Sequence, residues 1–291
     1  MIKKIYLSTK PIELLLTVLT YGLGAGIAHY LGHPFRAAGF SLGLIVVLSI
    51  QVASQFLVVY FRLPLTPRAQ DETMREREQF RVTLLQVIFA SMAFAAVVII
   101  SLLITHQLNL LSGSTLLIIT ISLLVYAIPP IRLSETGYGE LLQAILFGTV
   151  IPALAFLSQV NELHRILPII ALPLSILGIA YLLACDFPSF ANDQKYGRRT
   201  LLTRLTWQRA VPIHHFLIMI AFILFSTAPL LGIPWRLVWP VFLVLPFAIV
   251  QIIWLQRIAN GGRTIWQFFT TTSVVTFGLT VYFLALTFWM R

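Results

Sequence analysis

Nine runs of about twenty predominantly apolar residues, each closed by charge, Pro or Gly, dominate this 291-residue chain. They fall roughly at 11–31, 37–61, 83–105, 114–131, 138–158, 166–185, 210–230, 236–256 and 267–290. A run of this length reads as a helix across a bilayer, where each backbone N–H and C=O must find its partner within the chain. The fourth run is the shortest, closed by Pro129 and Pro130. Only 10% of residues are charged and 58% are hydrophobic. Soluble domains average about 25% charged residues, so a water-soluble globule is excluded. Disorder is excluded as well, because it needs low hydrophobicity with high net charge. The chain reads as an all-α polytopic membrane protein. Its single cysteine, Cys185, excludes an internal disulfide framework and a cysteine-ligated zinc site.

The net charge of +10 is a matter of topology rather than of nucleic-acid binding. Nine spans put the termini on opposite sides. Sixteen of the 20 Lys and Arg then fall on the N-terminal side: Lys3, Lys4 and Lys10, five in 62–81, Arg132, five in 195–209, Arg257 and Arg263. Arg36, Arg165, Arg236 and Arg291 fall on the other. The positive-inside rule predicts a cytoplasmic N-terminus and an outer C-terminus, in what reads as a prokaryotic inner membrane. Met1–Lys10 lacks the short apolar core and small-residue cleavage site of a signal peptide, so the first span reads as permanent. Membrane lipids are the expected surroundings, and no nucleic-acid partner is expected.

Two loops on the basic side are long, about 62–82 and 186–209, and function is expected there. In the first, Asp71–Glu78 reads as a short surface helix after a Pro-bounded turn, with Arg75, Arg77 and Arg81 alternating with Glu76 and Glu78. The second opens with Asp186-Phe-Pro-Ser189 and runs through Asn192, Asp193, Lys195, Arg198 and Arg199 to Leu201. Carboxylates at a membrane-embedded helix end are costly unless paired or metal-bound. Asp186, Asp193, Asn192 and Ser189 form a hard-oxygen set suited to Mg²⁺, and Lys195, Arg198 and Arg199 suit phosphate oxygens. A helix cap at Asp193, paired with Arg198 or Arg199, is the alternative from the residues alone.

The spacing Asp193-x-x-x-Gly197-Arg-Arg-Thr-Leu201 resembles the second aspartate-rich motif of the UbiA superfamily of intramembrane prenyltransferases. The Asp186-Phe-Pro-Ser189 opening is similar to its chlorophyll-synthase-like and naphthoate-prenyltransferase-like branches. Upstream, Tyr126-Ala-Ile-Pro129-Pro130-Ile-Arg132-Leu133, then Gly137-Tyr-Gly139-Glu140, resembles that superfamily's Tyr-x-x-Pro-Pro signature between spans 4 and 5. The resemblance implies one domain over 1–291, with nine helices ringing a central cavity that the loops at about 62–82 and 186–209 cap. It implies transfer of a prenyl chain from an isoprenoid diphosphate to an aromatic or similar lipophilic acceptor. Asp186 and Asp193 would be catalytic and hold Mg²⁺, while Arg62, Tyr126, Asn192, Lys195, Arg198 and Arg199 would bind substrate.

At the end of the second span the pattern departs from the superfamily. Its first motif reads approximately Asn-Asp-x-x-Asp-x-x-x-Asp. Here Val58 and Val59 stand for Asn-Asp, Arg62 for the next Asp and Thr66 for the last. Three readings stay open. Asp71 and Glu72 would restore the missing ligands from the loop; or Arg62 would bind the diphosphate in place of one Mg²⁺. Otherwise the chain would be a catalytically inactive homologue that binds a lipid, quinone or pigment, or a subunit of a membrane complex, photosynthetic or respiratory.

The other polar residues read blandly. His29 and His33 share a face near the end of the first span, and adjacent His214 and His215 diverge by about 100° on a helix. Glu13 is expected beside Lys10 at the interface, and Glu140 to offset a helix N-terminus. Trp235, Trp239, Trp254, Trp266 and Trp289 sit at span ends as an aromatic belt; Trp207 does not.

Overall fold

A computed structural model describes residues 9–65 and 73–291. Among these residues, nine helices are long and apolar enough to cross a membrane. They are α1 (Pro11–Tyr30), α2 (Ala37–Arg62), α3 (Met74–Ile104), α4 (Leu110–Ala127), α5 (Gly139–Gln159), α6 (Ile166–Lys195), α7 (Trp207–Leu231), α8 (Trp235–Ala259) and α9 (Trp266–Trp289). All nine apolar runs are helices, so backbone polar groups are satisfied along each span.

Two boundaries differ from the sequence reading, each for a local reason. The expected short surface helix is instead the first turns of α3. Thr73 caps it through a reciprocal capping box with Glu76, and no Pro or Gly interrupts the run from Met74 to Ile104. Arg77 donates to the Leu63 carbonyl just past α2 and Arg81 to the Tyr60 hydroxyl of α2 at 3.0 Å, so both side chains tie the start of α3 to the end of α2. At the other motif, α6 runs on past Asp186 to Lys195, because Pro188 is absorbed in a tight turn over Phe187–Ser189. Thr66, Asp71 and Glu72, like Lys3, Lys4 and Arg68, lie outside the described residues.

Helix α1 packs against both α9 and α5, α6 against α5 and α7, and α2 against α3 and α4. The closest approach needs glycine: a Cβ on Gly24 would stand 1.9 Å from the Pro152 carbonyl oxygen of α5. Within α5 a π-helical turn covers Leu146–Val150. Pro152 has no N–H for the Gly148 carbonyl one turn before it, which accounts for the wider turn. The main core joins α1, α5, α6 and α9 through Leu16, Ile27, Phe156, Leu174 and Phe277. Outward-facing Phe89, Phe94, Val97 and Ile100 leave one side of α3 apolar and exposed, as lipid contact requires.

Candidate active site at the ends of α2, α4 and α6

Two segments that are distant in sequence dock here. Gly137 takes φ +77°, and a Cβ there would come within 2.9 Å of the Thr200 carbonyl oxygen. Gly139 lies so close to the Tyr126 ring that a Cβ would stand 2.9 Å from it. These contacts explain why the Gly-x-Gly step precedes α5. Thr136 forms a backbone bridge with Arg199, and the Arg204 guanidinium donates to the Thr136 carbonyl while lying 4.2 Å over the Tyr138 ring. The segment carrying the second motif is thereby held against the start of α5.

Asp193 lies at the centre of this junction and is buried. Ser189 Oγ donates to its Oδ2 at 2.6 Å. Its Oδ1 faces two guanidinium groups, Arg198 at 3.5 Å and Arg62, from the end of α2, at 3.9 Å. Arg62 also lies 3.8 Å from Glu135, which Arg132 approaches at 3.4 Å. The cluster therefore alternates in sign, and both Asp193 oxygens already have donors. Burial works against the charge of Arg198, but Asp193 and then Asp186 outweigh it and hold its pKa above the ordinary value.

Asp186 occupies a different setting. Its carboxyl meets that of Glu140 at the start of α5, and Asp186 Oδ2 and Glu140 Oε2 are buried without a hydrogen-bond donor. Among the described residues no three His, Cys, Asp or Glu side chains converge where they could hold a metal ion.

A cavity of about 330 Å³ opens beside this cluster, lined by Lys10, Arg62 and Arg198 among its polar residues and by Val58 and Val59. A void of about 20 Å³, the size of one water, adjoins it along Val47, Leu123, Leu146, Phe147 and Ile151. Glu13, Gln55, Tyr126 and Gln143, from α1, α2, α4 and α5, line both and form a polar collar between them. Val58 and Val59 thus give an apolar wall where the resemblance puts metal ligands.

A sequence profile of the UbiA prenyltransferase family matches residues 68–274. The chain belongs to the UbiA prenyltransferase family. Its fold is similar to that of a UbiA homologue from Archaeoglobus fulgidus bound to GPP and Mg²⁺, with TM-score 0.59 and 15% identity over 99% of this chain and 100% of the other. An apo UbiA homologue from Aeropyrum pernix K1 gives TM-score 0.59 and 16% identity over 92% and 96%. Digeranylgeranylglyceryl phosphate synthase gives 0.58 and 14% over 99% and 97%. Likeness at such identities is a likeness of fold. No curated protein matches the chain in sequence.

Within this UbiA-family fold, Arg62, Asp193 and Arg198 meet, Tyr126 lines the adjacent cavity, and Asp186 is half-buried beside Glu140. Asn192, Lys195 and Arg199 are exposed, with Lys195 Nζ 5.6 Å over the Tyr196 ring. Sequence reasoning passed over Lys10, Glu13, Gln55, Gln143 and Glu135 as site residues. Lys10 and Glu13 do pair, at 2.6 Å, but the carboxylate is buried in the cavity wall rather than placed at the interface. The Glu13 carboxylate holds the Lys10 ammonium pKa above its ordinary value. The signal was available: Gln51 and Gln55 lie one turn apart in an otherwise apolar span, where polar side chains mark a cavity. Trp207, the tryptophan away from the belt, packs edge-on against Phe187 at 4.9 Å and Trp266 at 5.9 Å beneath the second motif.

Proposed function

We propose that the chain is an intramembrane prenyltransferase with an altered head-group site, moving a prenyl chain from an isoprenoid diphosphate to a lipophilic acceptor. The observation that carries this reading is the cavity of about 330 Å³, in which Lys10, Arg62 and Arg198 stand beside the apolar Val58, Val59 and Leu63. Arg62 and Arg198 would bind the phosphate oxygens through charge-assisted hydrogen bonds. Asp193 would position both guanidiniums. Tyr126 and the collar would orient the reacting carbon, and Val58, Val59 and Leu63 would keep water from it. The A. fulgidus homologue holding GPP with Mg²⁺ supports the same donor class here. By the positive-inside rule, this end of the cavity faces the cytoplasm.

Among the described residues the donor set fits one Mg²⁺ and not a pair. Asp186 Oδ2 and Glu140 Oε2 are buried oxygens without donors, a pair suited to a hard cation. Across the cavity, Val58 and Val59 offer no oxygen ligand and Arg62 repels a metal. Mg²⁺ at Asp186 and Glu140 would offset negative charge on the departing diphosphate.

A second reading is favoured by the Arg62–Asp193 contact, which gives the buried carboxylate a countercharge without a ligand. In that reading the cavity holds a lipid, quinone or pigment without transfer. Prenyl transfer in membranes carrying wild type or Asp193→Ala decides between them. The transferase reading expects transfer in wild type and its loss in the variant. No transfer in wild type, with a neutral lipid retained through purification, establishes the second reading. Transfer unaffected by the substitution removes the second motif from catalysis.

A further inference from the structure

All ten Asp and Glu of the chain precede residue 194, whereas Arg257 and Arg263 follow on the basic side of the membrane. Among the described residues, neither guanidinium makes an ion pair. Arg257, in the last turn of α8, lies 5.9 Å over the Trp254 ring. The dipole at that helix end offsets about half a charge at most, so positive charge remains. The end itself is closed. The N–H groups of Asn260, Gly261 and Gly262 donate to the carbonyls of Gln256, Ile258 and Arg257 at 2.9–3.0 Å.

Arg257 lines an open surface groove of about 650 Å³ together with His215 of α7 and with Ile252, Gln256 and Asn260. None of these residues borders the central cavity. Ile249, Ile253, Gln256, Arg257 and Asn260 share one face of α8 and of its end, apolar towards the middle of the span and polar at the basic side. Phe216 and Met219 of α7 are exposed as well and extend the apolar part. Gln256 Nε2 donates to Asn260 Oδ1 at 3.2 Å, which leaves the Asn260 amide N–H groups for an outside acceptor.

We propose that this groove is a binding site for one anionic phospholipid. Its phosphate would accept from Arg257 and Asn260, and an acyl chain would run along Ile253 and Ile249. The chemistry narrows the occupant in two ways. A soluble anion would meet Arg257 but leave the apolar stripe below it uncovered. A zwitterionic lipid would bring its own ammonium, adding no net countercharge to Arg257 and Arg263 and finding the carbonyls at the helix end already bonded. The site lies apart from the central cavity, and it stands whether or not the chain transfers prenyl groups.

The test is native mass spectrometry of the delipidated full chain in detergent, titrated with phosphatidylglycerol or with phosphatidylcholine of the same acyl chains. The first phosphatidylglycerol is expected to bind roughly tenfold more tightly, the factor for a contact to a charged group. Arg257→Gln is expected to bring that ratio to within about twofold of one. Arg236→Gln, an exposed arginine at the opposite end of α8, is expected to keep it. Both changes are at exposed positions, so folding is not at stake. Equal binding of the two lipids by wild type overturns the proposal. So does a preference that survives Arg257→Gln, or one that falls equally in Arg236→Gln, since net charge alone would then account for it. Displacement of the lipid by equimolar sn-glycerol 3-phosphate would show that an anion without chains suffices, and the lipid site would be wrong. Prenyl diphosphate binding to Arg257→Gln is expected to stay within about twofold of wild type; a larger loss would join this groove to the central cavity and overturn its separate role.

Discussion

Arg62 reaches from the end of α2 to within 3.9 Å of Asp193 on α6, joining the two helix ends by opposite charges. A metal-bridged site would need anions on both ends, each drawing a cation between them. Here one end supplies the cation itself. The exchange needs no bound ion to hold the ends together, and it leaves a guanidinium at the cavity lining, where it can meet phosphate oxygens.

Arg62→Ala therefore separates the two functional readings. If Arg62 holds the donor's phosphates, the dissociation constant for a prenyl diphosphate rises about 10- to 100-fold, as expected for loss of a charge-assisted contact. Isothermal titration in detergent measures it. If the cavity holds a neutral lipid instead, retention of that lipid is unchanged by the substitution, and the head-group role of Arg62 is wrong.

Asp193→Asn tests the structural side of the same contact. The carboxylate is buried, and its partners Arg62 and Arg198 are 34% and 21% exposed, so solvent screens them only in part. Removing the shared anion leaves two cations facing each other, at a cost of about 2–4 kcal/mol. Ser189 can still bond the amide, which limits the loss to the charge. Thermal unfolding in detergent is expected to begin several degrees lower, with the far-UV helical signal unchanged before the transition.

The metal site makes a stoichiometric prediction. With Asp186 and Glu140 as the donor pair among the described residues, Mn²⁺ used as a probe for Mg²⁺ is expected to bind about once per chain in the presence of a prenyl diphosphate. Titration followed by electron paramagnetic resonance counts the sites. Asp186→Asn and Glu140→Gln should each weaken that binding by an order of magnitude or more. Two sites of similar affinity would mean that ligands on the α2 side have been missed.

The fold was legible because a bilayer demands long apolar runs, and every such run is a helix. Boundaries were less legible where charge was taken for solvent exposure: Arg77 and Arg81 sit on α3 and bond to Leu63 and Tyr60 at the end of α2, a contact that no periodicity in one segment contains. The motif residues Asp193, Arg198 and Arg62 could be found by spacing, since motif spacing survives in sequence. Gln55 had a trace in its one-turn spacing from Gln51, but Lys10 and Glu13 at the start of α1 and Gln143 on α5 belong to no shared motif. Only the packing of α1 against α2 and of α4 against α5 brings them to one collar.

That packing can be tested at two glycines in the same helix. Gly22 and Gly24 are both interior to α1, so Ala has the same intrinsic advantage at each, about 1 kcal/mol. A Cβ on Gly22 meets nothing within 4 Å, whereas on Gly24 it would stand 1.9 Å from the Pro152 carbonyl oxygen and 2.7 Å from its carbon. Backbone cannot rotate aside as a side chain can, so α1 must move away from α5. Gly22→Ala is expected to leave thermal stability unchanged or slightly raised, and Gly24→Ala to lower it by about 1–3 kcal/mol. Because α1 also carries Glu13, with Lys10 at its N-terminal end, Gly24→Ala should weaken ligand binding at the collar, about three turns away along the same rigid helix. Equal melting temperatures for the two variants would show that α1 and α5 are not in contact at Gly24, and the collar's geometry would have to be redrawn.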